Sequence, residues 1–227
     1  MKEEDSVDNQ NRLYNANEMA KIASAHCDGC GGCCRNMGES IRLDPLDVHE
    51  LSFQLGQPFS DLLETVIGLH VEDGIILPHL LMKNQTEAGG EEAEECVFLG
   101  RDSRCDIHAF RPGLCRLFPL GRDYDGTGFR YFIVPDGCDK TDKTKVRIEK
   151  WLGVTEIEPY ESFIADWHYF IKDMKAKVAS MTDATVVKEI NLKVLEEFYQ
   201  TPYDPMRNFY LQFAMRLRRA KRLLEGQ

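Results

Sequence analysis

The chain has 227 residues, long enough to bury a substantial core as one large domain or two small ones. An apolar share of 43% and a charged share of 29% belong to a folded, water-soluble protein and exclude a disordered or collagen-like one. Twenty-eight basic against thirty-eight acidic side chains give a formal charge of −10, which argues against broad electrostatic binding to nucleic acid or anionic lipid.

Residues 1–16 are polar and Asn-rich and read as a frayed lead-in. Met1 to Ser6 run into Asp and Asn rather than an apolar stretch, so no secretory signal is expected. Nor does any apolar run reach the roughly 20 residues needed to cross a bilayer. The cytoplasm is the expected compartment. Met19, Ala20, Ile22 and Ala23 suggest a short helix leading into a cysteine cluster. After the cluster, Asp44-Pro45 supplies a helix N-cap and a proline at the first helical position, and Gly56 can close that helix. Ser60-Asp61 opens a second short helix carrying Leu62, Leu63, Val66, Ile67 and Leu69.

Ile75 to Met82 reads as a buried strand or loop edge, with Pro78 arguing against a central strand. Asn84 to Glu95 holds two glycines and five glutamates and reads as a solvated loop. Cys96 to Leu99 and Cys105 to Ile107 flank the turn Gly100 to Ser103 as a small hairpin. Arg111 to Pro119 is a short segment bounded by prolines, and Phe129 to Val134 is a further strand. Beyond residue 140 the pattern turns helical. Thr144 to Leu152 forms a short helix ending at Gly153, and Pro159 to Ser180 repeats apolar residues at three and four positions. Thr182-Asp183 caps the next helix, and Asp204-Pro205 opens the last. That helix ends in Arg216, Arg218, Arg219, Lys221 and Arg222, which suit its negative C-terminal pole or a partner surface. The expected fold is α+β: a small loop-rich cysteine-cluster core with short strands over residues 1–140, followed by a helical region of three to four helices over residues 141–227 packed on it.

The chemistry is concentrated in the cysteines. Cys27, Cys30, Cys33 and Cys34 fall in eight residues with Gly and Asp between them, and glycine permits the backbone turns that let thiolates converge on one ion. Cys96, Cys105, Cys115 and Cys138 follow before residue 140. In a reducing compartment such cysteines are ligands or catalytic thiols more often than disulfides. Eight suit two four-ligand sites, or one with spare thiols, and zinc and iron-sulfur both accept four cysteines. Sequence gives no pairing. Cys27, Cys30 and one of the adjacent pair Cys33 and Cys34 are the strongest candidates, and side chains on neighbouring residues are expected to diverge. His26 and His108 lie beside cysteine segments and are left out of the site. Arg35, Arg101, Arg104, Arg111 and Arg116 lie within a few residues of cysteines, and Arg111 and Arg116 are favoured as donors to thiolate or sulfide. No phosphate-binding Gly-rich loop, nucleophile elbow or dinucleotide fingerprint is present.

The run CDGCGGCCR, followed by CVFLGRDSRCDIHAFRPGLCRLFP, resembles the CxxCxxCC cysteine-cluster family, often called YkgJ-like and described as a zinc- or iron-chelating domain. Cys96, Phe98, Leu99, Cys105, Ile107, Arg111, Pro112, Cys115, Arg116, Phe118 and Pro119 stand in the places of the family's second motif, with His108 where a tyrosine is usual. The resemblance covers residues 26–138 and is silent on the helical tail. It implies a chelator of zinc or iron, with an iron-sulfur cluster of the 4Fe-4S type or zinc as cofactor. The family is also related to flagellin lysine N-methylase, so a protein-modifying enzyme or a cluster-dependent redox enzyme is the alternative. That relation brings no catalytic residue with it. A protein partner or substrate is the expected kind of partner, rather than nucleic acid or membrane.

Overall fold

The computed structural model describes residues 12–24, 30–86, 92–138 and 140–225. In chain order the elements are β1 (Met19–Ala23), a 3-10 turn (Gly32–Cys34), α1 (Pro45–Leu55), α2 (Phe59–Leu62), β2 (Ile67–Glu72), β3 (Ile75–Leu80), β4 (Met82–Thr86), β5 (Glu92–Cys96), a 3-10 turn (His108–Phe110) and α3 (Gly113–Leu117). There follow β6 (Leu120–Tyr124), β7 (Phe129–Ile133), β8 (Thr144–Arg147), α4 (Ile148–Leu152), α5 (Ile157–Ala179), α6 (Ala184–Leu195), a π-helical turn (Glu196–Gln200) and α7 (Phe209–Glu225). The fold is α+β: short antiparallel strand pairs dominate the N-terminal part, and the substantial helices lie in the C-terminal part. No helix among the described residues is long and apolar enough to cross a membrane.

Two compact units emerge, one of residues 1–34 and 98–165, the other of residues 35–97 and 166–227. Each draws on both sides of residue 140, unlike the division expected from the sequence.

In the first unit β1 pairs with β8, and β6 pairs with β7. Tyr14 bridges Tyr131 through backbone hydrogen bonds of 2.8 and 2.9 Å, burying both rings. Ala20 and Ile22 of β1 are buried, as are Ile148 and Leu152 of α4. Residues 19–23 are therefore a strand and not the helix their composition suggested. Their alternating burial fits a strand, and the partner β8 is far away in sequence. Thr144 to Arg147 form that partner strand, so the helix expected from Thr144 starts only at Ile148 and ends at Gly153.

In the second unit the Asp44 side chain caps α1 by accepting from Leu46 N and Asp47 N, Asp47 closes the capping box, and Gly56 ends the helix at φ 65°. α2 stops at Leu62 because Leu63 is extended, and Ile67 to Glu72 become β2 rather than a continuation of that helix. β3 pairs with β2, Pro78 standing opposite Leu69. The stretch expected as a solvated loop is, where described, the hairpin β4–β5, with Met82 opposite Cys96 and Asn84 opposite Glu94. Cross-strand pairing overrode its polar composition there. Residues 87–91, the glycines and acids at its middle, lie outside the described residues. Trp167 and Phe170 of α5 pack with Phe198 and with Phe213 of α7 into an aromatic core. α7 begins at Phe209: Asp204-Pro205 makes a turn instead, Arg207 N donating to Asp204 O at 3.2 Å, and Asn208 Oδ1 accepts from Leu211 N at 3.1 Å.

Candidate metal centre

The first cysteine segment belongs to the first unit. Gly31 at φ 61° turns the chain so that Cys34 N donates to Gly31 O at 3.1 Å, forming the 3-10 turn that carries Cys33 and Cys34. Gly32 N donates to Cys30 Sγ at 3.4 Å. Within the turn the Cys34 thiol hydrogen-bonds to Cys33, so the two sulfurs meet rather than diverge as expected. That bond, assisted by the Cys33 backbone N–H and the charge of Arg111 and opposed by burial, holds the Cys33 thiol down to about 6.

The second segment is a narrow hairpin joined by one bridge between Leu99 and Cys105 rather than by two strands. Gly100 N donates to Arg104 O at 2.8 Å, Asp106 N to Phe98 O at 2.9 Å and Ser103 N to Gly100 O at 3.0 Å. Buried Leu99 and Ile107 anchor its two arms. The chain then makes a 3-10 turn and enters α3, which carries Cys115.

Arg111 stands between that turn and α3, and its guanidinium is bonded to the His108 ring. Its charge acts on Cys33, Cys105 and Cys115 together. Burial is the main force lowering the Arg111 pKa, and repulsion from Arg116 adds to it, against the pull of the three cysteines. Cys105 is pushed up by burial, against the Ile107 N–H and Arg111. Arg111 Nε is buried without a hydrogen-bond partner among the described residues. Arg116 spends one donor on Ala109 O at 3.0 Å, while Arg104 pairs with Asp102 at 3.8 Å, and Arg35 is bridged to Glu95 in the second unit.

The other candidate ligands are dispersed. Cys27 and His26 lie outside the described residues. Cys30 is exposed, and Cys138 is half-buried with its carbonyl accepting from Lys143 Nζ at 2.8 Å. Cys96 is buried at the end of β5 in the second unit. None of the described cysteines is in a disulfide. Among the described residues no three His, Cys, Asp or Glu side chains are close enough to hold a metal ion. What the fold assembles is a neighbourhood in which three thiols share one cation. Its donor chemistry fits zinc or iron: the ligating atoms on offer are all sulfur, and the His108 ring is already engaged by Arg111. The orphaned Nε also fits, since a thiolate or sulfide is an acceptor for it.

This part of the chain thus sets three soft thiol donors under the charge of one arginine. A family model matches residues 26–147 and bears the description "CxxCxxCC: Putative zinc- or iron-chelating domain". The match spans more than half of the 227 residues, and the chain belongs to this family of zinc- or iron-chelating domains. No curated protein and no solved structure matches it.

Proposed function

We propose that the chain is a cytoplasmic protein that holds an iron-sulfur cluster of the 4Fe-4S type, in preference to zinc, through Cys33, Cys105 and Cys115 with Cys34 beside them. The observation that supports this reading is that the charge of Arg111 acts on all three of those cysteines while its buried Nε has no hydrogen-bond partner among the described residues. Cluster sulfide, unlike a bare zinc ion, adds acceptors to the site, and hydrogen bonds to sulfur stabilise and tune such clusters. Cys27, Cys30 and Cys138 remain candidates for the set, and Cys96 of the second unit for a role apart from it.

A bound cluster would supply one-electron redox chemistry, whereas zinc closed in by four thiolates would supply a structural tie. The protein's own part is to present thiolates, to offset their mutual repulsion with Arg111, and to hold Cys105 and Cys115 on a hairpin and a short helix.

The test is iron, acid-labile sulfide and zinc content, with a visible absorption spectrum, on protein purified without oxygen. Iron and sulfide in near-equal amounts, lost together in Cys33→Ser and Cys105→Ser variants, support the reading. Stoichiometric zinc without sulfide overturns the cluster, and metal retained by both variants overturns the site.

A further inference from the structure

The second unit contains a cavity of about 280 Å³ that the metal reading does not use. α1, the segment leading into α2, the π-helical turn and residues 200–205 line it. Its volume lies near the lower end of the roughly 300–1,000 Å³ typical of small-molecule pockets. None of the described residues lining it is charged: aromatic and apolar groups are joined by the hydroxyls of Ser52, Tyr199 and Tyr203, two side-chain amides and one imidazole.

That imidazole is His49. It stacks on Phe209 with centroids 5.5 Å apart and planes 15° apart, and lies 5.5 Å from the Tyr203 ring. Burial lowers its pKa, Glu50 opposes that and Arg216 assists it, so the ring is neutral at pH 7 and offers one donor and one acceptor. Its contacts among the described residues are with rings, Phe53, Tyr203 and Phe209.

The opposite wall is fixed. The π-helical turn, closed by Thr201 N donating to Glu196 O at 2.9 Å, brings Phe198, Tyr199 and Gln200 to the cavity, and Tyr199 Oη is tied to Leu43 O at 3.1 Å. Such wide turns inside helices recur at functional sites. Phe53, 58% exposed, forms part of the lining where the cavity meets solvent.

We propose that this cavity binds an uncharged small molecule built on one or two flat unsaturated rings and bearing one hydrogen-bonding group, which His49 receives. A charged ligand would find no counter-ion in the lining and would lose its hydration on entry. A lining rich in aromatic side chains, Phe53, Phe59, Phe198, Tyr199 and Tyr203, suits a flat ring, and the neutral imidazole sets its orientation.

The test uses the full chain in its purified form, with indole as the neutral probe and indole-3-acetate as its charged counterpart, followed by ligand-observed NMR and by the imidazole resonances of His49. Indole is expected to bind saturably with a Kd of about 1 mM or tighter, shifting His49, with indole-3-acetate at least tenfold weaker. His49→Phe keeps the stacking and loses the polar contact, weakening indole by about tenfold. Ser52→Phe fills the cavity and abolishes binding. Unfolding midpoints of both variants show whether each is folded. The proposal is overturned if the wild-type protein shows no saturable indole binding up to about 5 mM. It is equally overturned if binding leaves His49 unmoved and survives both substitutions in folded protein. Metal content plays no part in these readouts, so this proposal and the cluster reading fail separately.

Discussion

Arg216 looked from the sequence like one of several cations at the end of a helix, yet it is buried at 6% exposure and does a different job. Its Nη1 donates to Glu197 O at 2.7 Å and Thr201 O at 2.6 Å, its Nη2 donates to Pro202 O at 2.8 Å, and its Cζ lies 3.7 Å from the centre of the Tyr203 ring. The fork therefore satisfies the carbonyls left over where the π-helical turn ends. Hydrogen bonds from a charged donor contribute roughly 1.5–3 kcal/mol each, but the three share one side chain and do not add. Thr201 and Pro202 are exposed residues whose carbonyls water can reach after substitution, which leaves the Glu197 carbonyl as the principal loss. Arg216→Met should therefore destabilise the second unit by about 2–4 kcal/mol, and Arg216→Lys, which keeps the charge without the fork, by about half of that. The assay is urea unfolding followed by Trp167 fluorescence in a Trp151→Phe background, because Trp167 packs on Phe198 and Phe213 within that unit. With a denaturant slope of roughly 2 kcal/mol per molar, the Arg216→Met midpoint should fall by about 1–2 M. A fall below about 0.3 M, or identical midpoints for the Met and Lys variants, would refute the reasoning.

Other consequences follow from single contacts. A Cβ on Gly68 would lie 2.5 Å from His79 Cε1 and 2.6 Å from its Nε2, so Gly68→Ala should cost about 1–3 kcal/mol in chemical unfolding, and His79→Ala on top should return most of it. Burial is the main force lowering the His79 pKa, with Glu39 opposing and Arg42 and His70 assisting. Below about pH 6.5 the unfolded chain takes up a proton that the folded state refuses, and stability should fall by up to about 1.4 kcal/mol per pH unit, a slope that His79→Gln reduces; an unchanged slope in that variant contradicts the assignment. Asn191 is buried, accepting from Ile76 N at 2.7 Å and donating to Gly74 O at 2.9 Å and Val187 O at 3.0 Å. Asn191→Leu should therefore lose about 2–4 kcal/mol by thermal or urea unfolding despite its similar volume. Arg111→Met should weaken metal retention against a chelator by about 10–100-fold, with Arg116→Met nearly silent; wild-type retention in the first variant would remove Arg111 from the centre.

Where local rules decide structure, the sequence was readable. Asp44-Pro45 and Asp183 cap helices because their side chains reach N–H groups two and three residues on, and the period of apolar residues in α5 needs no distant partner. Two of the errors in the strands involve a partner that the local pattern does not show. Met19 to Ala23 suit a helix or a strand equally well until Thr144 to Arg147 supply a ladder, and the described parts of the stretch after Asn84 are strand only because the two arms pair, Met82 with Cys96. The same limit governs the site. Both cysteine motifs and the nearness of Arg111 to them in sequence are legible, but that one guanidinium acts on Cys33, Cys105 and Cys115 is a fact of tertiary structure. The assignment of Cys96 to the other unit, and the π-helical turn beside His49, left no trace in spacing or composition.

The two halves of the centre are not equally prepared for a metal. Cys105 is held by a hairpin with its own backbone bonds and by the buried anchors Leu99 and Ile107, while Cys115 sits on α3, whose following residue Phe118 accepts from Trp151 Nε1 at 3.1 Å. Cys30 to Cys34 have, among the described residues, one 3-10 turn, a backbone donor to the Cys30 sulfur and the bond between Cys34 and Cys33. Fixing backbone in one conformation costs roughly 1–2 kcal/mol per residue, and that cost falls where the chain supplies fewest bonds of its own. If Cys33, Cys105 and Cys115 share a metal, its binding free energy would go chiefly into holding Gly31 to Cys34 against a hairpin and a helix already in place. Metal content would then be coupled to the conformation of Gly31 to Cys34 while the hairpin and α3 stay much as they are, and the positive φ of Gly31 would serve that order as much as ligation.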